Sequence, residues 1–277
     1  MLKLQPIEIK ENYYWHILCM FFLWTVKSNG KQKMETPTLV ALSRQTTLRR
    51  HIDIVANNIA NMNTTGYKGE RMMFVEHLVK SKGGERILGD KISYVRDIAT
   101  MRDLSNGALE HTGNPLDVAL EGDGYFMIQT NTGNSYTRNG RFKLDDSGQL
   151  ISSSGDPVLS DGGQPIFFAP TDTKINIARD GLISTQNGVL GKLAVVKFEN
   201  DHRLRPIAGG LYDSPDPASP VDSPTVAQGM LEGSNVKPVI EMARMIEVHR
   251  AYDAVKGFVE REDDRMRKMI RDLSEIQ

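Results

Sequence analysis

Along the last forty or so residues, apolar side chains recur three and four positions apart: Met245, Val248, Tyr252, Val255, Val259, Met266, Met269 and Leu273. Glu262 is the one polar residue in the line. A seam repeating every ~3.5 residues over about four heptads faces another helix rather than a globular core. Beside it, Asp263 and Arg267, and Asp264 and Lys268, stand four apart in the order that supports an exposed helix surface. The pattern predicts a long pairing helix over 236–277.

A matching alternation near the other end, Leu48, Ile52, Val55, Ile59 and Met62, supplies the expected partner. It follows Thr36-Pro37, which reads as a helix cap with proline in the first helical position, and stops at Asn63-Thr64-Thr65-Gly66, where glycine can adopt a left-handed conformation. Two terminal helices therefore bracket everything between them.

Between the helices the period changes. Residues 71–115 carry mixed signals: Met72-Met73-Phe74-Val75 and Leu78-Val79 fit a short helix or a strand, before a loop at Ser81-Lys82-Gly83-Gly84. From 116 to 213 short β runs alternate with turns. Tyr125–Ile128, Ile166–Phe168, Ile175–Ile177 and Leu193–Phe198 are strand candidates. Asn139-Gly140, between Tyr136-Thr137-Arg138 and Arg141-Phe142-Lys143-Leu144, is the strongest hairpin signal, because both residues tolerate the positive φ of a type I′ turn. Further turns are expected at Asp146-Ser147-Gly148, Asp161-Gly162-Gly163, Asp180-Gly181 and Asn187-Gly188. Residues 214–235, with Pro215, Pro217, Pro220 and Pro224, read as a stiff polar linker returning to the last helix. The expected class is α+β: a coiled-coil-like N-terminal helix with the motif that follows it (34–70) and a C-terminal helix (236–277) around a largely antiparallel β domain.

Composition narrows function mainly by exclusion. Five of the 34 basic and two of the 35 acidic residues fall before Met34, leaving the rest of the chain at a net charge of −4, with no basic patch. That argues against a nucleic-acid partner. The single cysteine, Cys19, lies in the first 33 residues, so the remainder has no disulfide, thiolate metal site or cysteine nucleophile. Those first residues do not match the rest: the apolar run Ile17–Val26 is too short to span a bilayer, and no small-residue cleavage pattern follows it. The expectation is that translation starts at Met34 and that residues 1–33 are an extension without a native role.

Candidate chemistry is sparse. Glu121-Gly122-Asp123-Gly124 and Asp145-Asp146-Ser147-Gly148 lack the ligand spacing of a calcium loop and read as turns. His51, His77, His111, His202 and His249 form no zinc motif, and neither a phosphate-binding loop nor a nucleophile elbow is present. No catalytic, cofactor or metal residue is expected. The unusual feature is Val55-Ala56-Asn57-Asn58-Ile59-Ala60-Asn61, three asparagines inside a helical repeat although asparagine is a poor helix former. Amides donate and accept at once, so Asn57, Asn58 and Asn61 are candidate contacts to neighbouring subunits, with Asn57 and Asn61 one turn apart on the face away from the seam.

At these residues the chain resembles a known family. Ala56–Asn61 followed by Thr65-Gly66-Tyr67-Lys68 is similar to the N-terminal signature of the bacterial flagellar rod and hook proteins. Leu120-Glu121-Gly122-Asp123-Gly124-Tyr125-Phe126 resembles the family's entry to its β domain, and Tyr136–Phe142 its first hairpin. Leu231-Glu232-Gly233-Ser234-Asn235-Val236, with Met245-Ile246 and Arg250-Ala251-Tyr252, resembles the C-terminal signature, and Lys237-Pro238 is most similar to the proximal-rod branch. The resemblance implies a structural subunit of the basal-body rod in the periplasm, exported by the flagellar type III apparatus without a cleaved signal. Its partners would be other rod subunits and itself, with no cofactor, no nucleic acid and no membrane insertion. Terminal helices would line a hollow helical shaft that transmits torque and conducts exported subunits. The assembly residues expected on this view are Leu48, Ile52, Val55, Asn57, Asn58, Ile59 and Asn61, with Met245, Val248, Tyr252, Val255 and Val259. A distal-rod or hook-type subunit is the alternative; a secreted monomeric binding module or an enzyme using the β domain stands further off.

Overall fold

The computed structural model describes residues 36–80 and 91–275. The segment expected to precede the start at Met34 and the loop expected at Ser81–Gly84 lie outside the described residues. Helix α1 covers Thr36–Ala60 and helix α2 covers Pro238–Glu275. Along α2 the seam is legible in the burial: Met245, Tyr252, Val255, Val259, Glu262, Met266 and Met269 are half-buried and Val248 is buried. Leu273, 64% exposed, leaves it. On α1, Val55 is buried at 1% exposure and Leu48, Ile52 and Ile59 are half-buried; Met62, expected in the same stripe, is half-buried in the turn beyond the helix end. A helix gains most of its stability from such a packed stripe rather than from propensity. Among the described residues no helix is long and apolar enough to cross a membrane.

Strands β1 (Glu70–Lys80) and β2 (Lys91–Arg102) pair as a two-stranded sheet, so the mixed signals after residue 70 resolve to strand. Next come β3 (Leu109–His111), β4 (Val118–Glu121), β5 (Tyr125–Thr130), β6 (Gly133–Thr137), β7 (Lys143–Leu144) and β8 (Leu150–Ile151). They are followed by β9 (Asn176–Ile177), β10 (Leu182–Thr185), β11 (Gly188–Lys192), β12 (Val195–Lys197), β13 (Arg205–Ile207) and β14 (Leu211–Asp213). The last three are β15 (Ser219–Pro220), β16 (Thr225–Gln228) and β17 (Met230–Glu232). The largest sheet has the order β13-β14-β6-β5-β12-β15, and its pairings are antiparallel.

Side chains alternate across this sheet, as a period of two requires. Phe126 on β5 and Val195 on β12 enter one apolar cluster with Phe142, Leu150, Ile183 and Leu193; Phe126 meets Phe142 edge-on at 5.2 Å. Their neighbours Tyr125 and Val196 enter a second cluster with Tyr136, Phe198 and Tyr212 on the opposite face. By contact density the described chain divides into two compact units. One comprises Arg50–Phe74 and Ile98–Val248, and so holds the β domain and the inner ends of both helices. The other holds α1 through Arg49, Val75–Asp97, and α2 from His249.

Three expectations are corrected. Asn139-Gly140 is not a type I′ turn, since neither residue has positive φ. β6 pairs instead with β5 and β14, and β7 with β8. The reason is a close backbone approach: Val118 N donates to the Gly140 carbonyl at 3.0 Å, and a Cβ on Gly140 would lie 1.6 Å from the Val118 carbonyl oxygen. Ile166–Phe168 makes only isolated bridges around it, Gln149 to Phe167 and Leu159 to Pro165. The proline-rich return is no free linker, because β15 pairs with β12, β16 with β4 and β17 with β3. By contrast Gly148 and Gly181 do take positive φ at the expected turns, and Asn187-Gly188 joins β10 to β11.

Gly140→Ala should therefore destabilise the β domain by about 3 kcal/mol or more, because the obstacle is backbone rather than a movable side chain. Urea unfolding followed by tyrosine fluorescence measures it; a variant as stable as the parent would show that the 118–140 approach is slack.

Candidate functional site

The chain leaves α1 through a compact turn. Asn61 N donates to Asn57 O at 3.1 Å, Thr64 N to Asn61 O at 3.1 Å and Tyr67 N to Thr64 O at 3.2 Å. Gly66 sits inside this turn at φ +69°, where L side chains are strained, and a Cβ there would lie 2.6 Å from the carbonyl carbon of Arg138. Its N–H donates to the Glu232 carbonyl at 2.7 Å. Glycine is thus needed twice over, for conformation and for space.

Tight passage at Gly66 delivers Lys68 to Glu232, and the two side chains are 2% and 1% exposed. Lys68 Nζ donates to Glu232 Oε1 at 2.7 Å, to the Ser105 carbonyl at 2.8 Å and to Asn106 Oδ1 at 3.3 Å. Glu232 Oε1 also accepts from Gly107 N at 3.0 Å, and its Oε2 faces Arg138 Nη1 at 3.4 Å. One carboxylate therefore serves two buried cations. Burial pulls the Lys68 ammonium below the ordinary lysine range, and the contact with Glu232 works against that shift. Arg138 in turn lies over the Tyr125 ring at 5.3 Å, and buried Arg102 over Tyr212 at 4.6 Å while donating to the Leu204 carbonyl. Tyr125 and Tyr212 meet edge-on at 5.8 Å, so a run of cation, ring, ring, cation joins the junction to the aromatic core.

Two amides complete the junction. Asn235 accepts from Gly69 N at 2.8 Å and donates to the carbonyls of Asp103 and Ser105 at 2.8 and 2.9 Å. Asn58, 3% exposed, pairs with the backbone of Glu70 in both directions, accepting from its N–H at 2.9 Å and donating to its carbonyl at 2.8 Å. It also donates to Glu241 Oε2 at 3.3 Å and accepts from the Tyr67 hydroxyl at 3.1 Å, and burial with the nearby Glu70 charge pushes Tyr67 up to about 12. Glu241 is held from its other side by Arg244. Burial and Arg244 lower the pKa of His51 below its ordinary 6.5, against the opposing charges of Glu241 and Glu247.

The expected assembly residues thus separate. Asn57 is exposed and Asn61 half-buried, and they bond each other: Asn61 Nδ2 donates to Asn57 Oδ1 at 2.8 Å and to its carbonyl at 2.9 Å. Asn58 does not join them, because it points into the junction. Leu48, Ile52, Val55 and Ile59, and Met245, Val248, Tyr252, Val255 and Val259, lie along the covered stripes of their helices. Gln45 Nε2 reaches the Tyr252 hydroxyl at 3.3 Å in one unit, and Asn58 reaches Glu241 in the other. Sequence reasoning missed Lys68, Arg138, Glu232, Asn235 and Glu241 as a group. The available signal was Glu232 beside Leu231 in a short strand, a charge at a position otherwise suited to burial. Among the described residues no cluster of His, Cys, Asp and Glu is placed to hold a metal.

Comparisons with known proteins cover the same segments. A family described as flagella basal body rod protein matches residues 39–68, the flagellar hook protein FlgE/F/G D1 domain matches 119–185, and the flagellar basal body rod FlgEFG protein C-terminal family matches 227–272. The chain is 36% identical to the flagellar basal-body rod protein FlgF of Caulobacter vibrioides over 88% of its own length and all of that protein. It is 35% identical to FlgF of Rhizobium meliloti over 87% of itself and 98% of the relative. To the flagellar basal-body rod protein FlgG of Buchnera aphidicola it is 32% identical over 79% of itself and 92% of the relative.

Removing the shared carboxylate leaves two buried cations uncompensated, so Glu232→Gln should cost about 3–5 kcal/mol in urea unfolding, and Lys68→Met combined with Glu232→Leu should cost less than the single change. Equal losses would mean that the pair is not energetically coupled. For His51 the depressed pKa means the unfolded chain binds the proton more readily, so stability falls as pH drops below 6.5. His51→Gln should flatten that part of the curve of unfolding midpoint against pH; an unchanged slope would assign the acid sensitivity to other groups.

Proposed function

This chain belongs to the flagellar basal-body rod protein family, and from that premise we propose that it takes an F-type, proximal position in the rod and contributes to a hollow helical shaft. It is a structural subunit of the rod, located in the flagellar basal body, and assembles with other rod components. The observation that carries this is the match to the whole of the Caulobacter FlgF sequence, both terminal helices included. The F-type assignment is supported by three FlgF relatives at 34–36% identity and by Lys237-Pro238 following Ser-Asn-Val. FlgG relatives at 30–34% support a distal-rod position as the second reading.

In this proposal the half-buried stripes supply the assembly surface. Each seam side chain contributes roughly 1.5–3 kcal/mol only when fully covered, and those of α2 from Met245 to Met269 are mostly covered in part. Neighbouring subunits complete the burial. Leu48, Ile52, Val55 and Ile59 act from α1, and Met245, Val248, Tyr252, Val255 and Val259 from α2. Exposed Asn57, braced by Asn61, offers its amide outward, while Asn58 sets the helix on the junction. No catalytic role is assigned, since torque transmission and a conduit for exported subunits need packing rather than chemistry. Export through the flagellar type III apparatus without a cleaved signal belongs to the same proposal.

Val255→Asp places a carboxylate in the seam, where it finds no partner. The β domain should stay folded, with amide-exchange protection over 116–213 unchanged, while basal bodies seen by electron microscopy should lack rods beyond the point of insertion. Intact rods in that strain would defeat the paired-seam reading.

A further inference from the structure

Lys68, Asn106 and Glu232 stand in an arrangement that the packing of the junction alone does not require. A primary amine, a carboxamide and a carboxylate converge at one point: Lys68 Nζ is 3.3 Å from Asn106 Oδ1 and 2.7 Å from Glu232 Oε1. The amine and the carboxylate are buried, whereas Asn106 is exposed and opens the site to solvent on one side. The Ser105 carbonyl, 2.8 Å from Nζ, fixes the amine, and Asn235 Nδ2 holds that carbonyl in turn at 2.9 Å. Held geometry of this kind replaces the entropy cost of bringing a nucleophile to its electrophile.

We propose that Lys68 and Asn106 condense into an intramolecular amide bond, with Glu232 as the proton carrier. Because both side chains are withdrawn from water, the charged pair can pass its proton from Lys68 Nζ to Glu232, leaving a neutral amine and a neutral acid. The amine lone pair forms a bond to Asn106 Cγ, and the carbon–nitrogen bond to the side-chain amide nitrogen breaks. Glu232 accepts the proton lost by the attacking nitrogen and delivers one to the leaving nitrogen, which departs as ammonium by the exposed side of Asn106 while Glu232 returns to carboxylate. One amide is exchanged for another, so no oxidant, reductant or further reactant is needed. A desolvated lysine beside a general base is a recurrent way to make this amine nucleophilic, and burial already draws Lys68 toward its neutral form.

The product would tie the chain immediately before β1 to the chain immediately after β2. At that point Asp103 N already donates to the Gly69 carbonyl at 2.8 Å. A two-stranded sheet is marginal by itself, and a covalent bond across its base does not open under load. This inference stands apart from the rod reading, because it is tested on the purified chain alone.

The test is the intact mass of the purified full-length protein. It should be lighter than its sequence by one ammonia, and after denaturation trypsin should fail to cut at Lys68 and should release a branched peptide joining that segment to the one containing Asn106. Asn106→Ala, at an exposed side chain, should restore both the full mass and cleavage at Lys68. Glu232→Gln should leave the two side chains unjoined. A wild-type chain at its full sequence mass overturns the proposal. So does an ammonia deficit with Lys68 still cleavable, which assigns the loss to Asn106 closing on the Gly107 nitrogen.

Discussion

A carboxylate removed from water must be compensated where it sits, and Glu232 is compensated by groups from several distant parts of the chain. Lys68 is 164 positions away and Arg138 is 94, while the Gly107 N–H adds a hydrogen bond to the same oxygen that Lys68 contacts. Taking such charges out of water costs several kcal/mol per ion unless each finds its partner. The turn after α1, the segment following β2, the end of β6 and strand β17 must therefore meet at one place for any of them to be stable there. Gly66 and Gly107 follow from this constraint: a Cβ on either would collide with backbone, 2.6 Å from the Arg138 carbonyl carbon in one case and 1.9 Å from the Gly233 carbonyl oxygen in the other.

The junction also sets where the helices begin and end. Asn58 and Asn235 pair with backbone groups of Glu70 and Gly69 respectively, where the chain from α1 passes into β1. The bond from Asn58 to Glu241 then fixes the first turns of α2 beside the last turn of α1. The junction holds these segments by polar contacts rather than by apolar packing. The β domain is held differently, by two apolar clusters on opposite faces of one sheet.

Much was legible in the sequence because it depends on short-range periodicity. The 3.5-residue seam located α2, and its half-buried positions follow the line from Met245 to Met269. Turn chemistry located Gly148 and Gly181 for the same reason, since positive φ is a property of one residue. Family membership was legible as well, and three of its motifs supply the junction: Asn58 and Lys68 from the first, Arg138 from the hairpin motif, and Glu232 with Asn235 from the C-terminal one. Asn139-Gly140 failed because its signal is local while the deciding contact, Val118 to Gly140, is not.

The sequence by itself determined the two terminal helices, the β texture between them and the flagellar rod family, all of which rest on neighbours within a few residues or on motif identity. Only the tertiary structure decided that Asn58 turns inward while Asn57 and Asn61 do not, that the proline-rich return becomes strands, and that Lys68 belongs to Glu232. Each of those outcomes depends on partners a dozen to well over a hundred positions away. Periodicity carries no information about which buried charge will find which, because pairing is selected by desolvation cost once the backbone has closed.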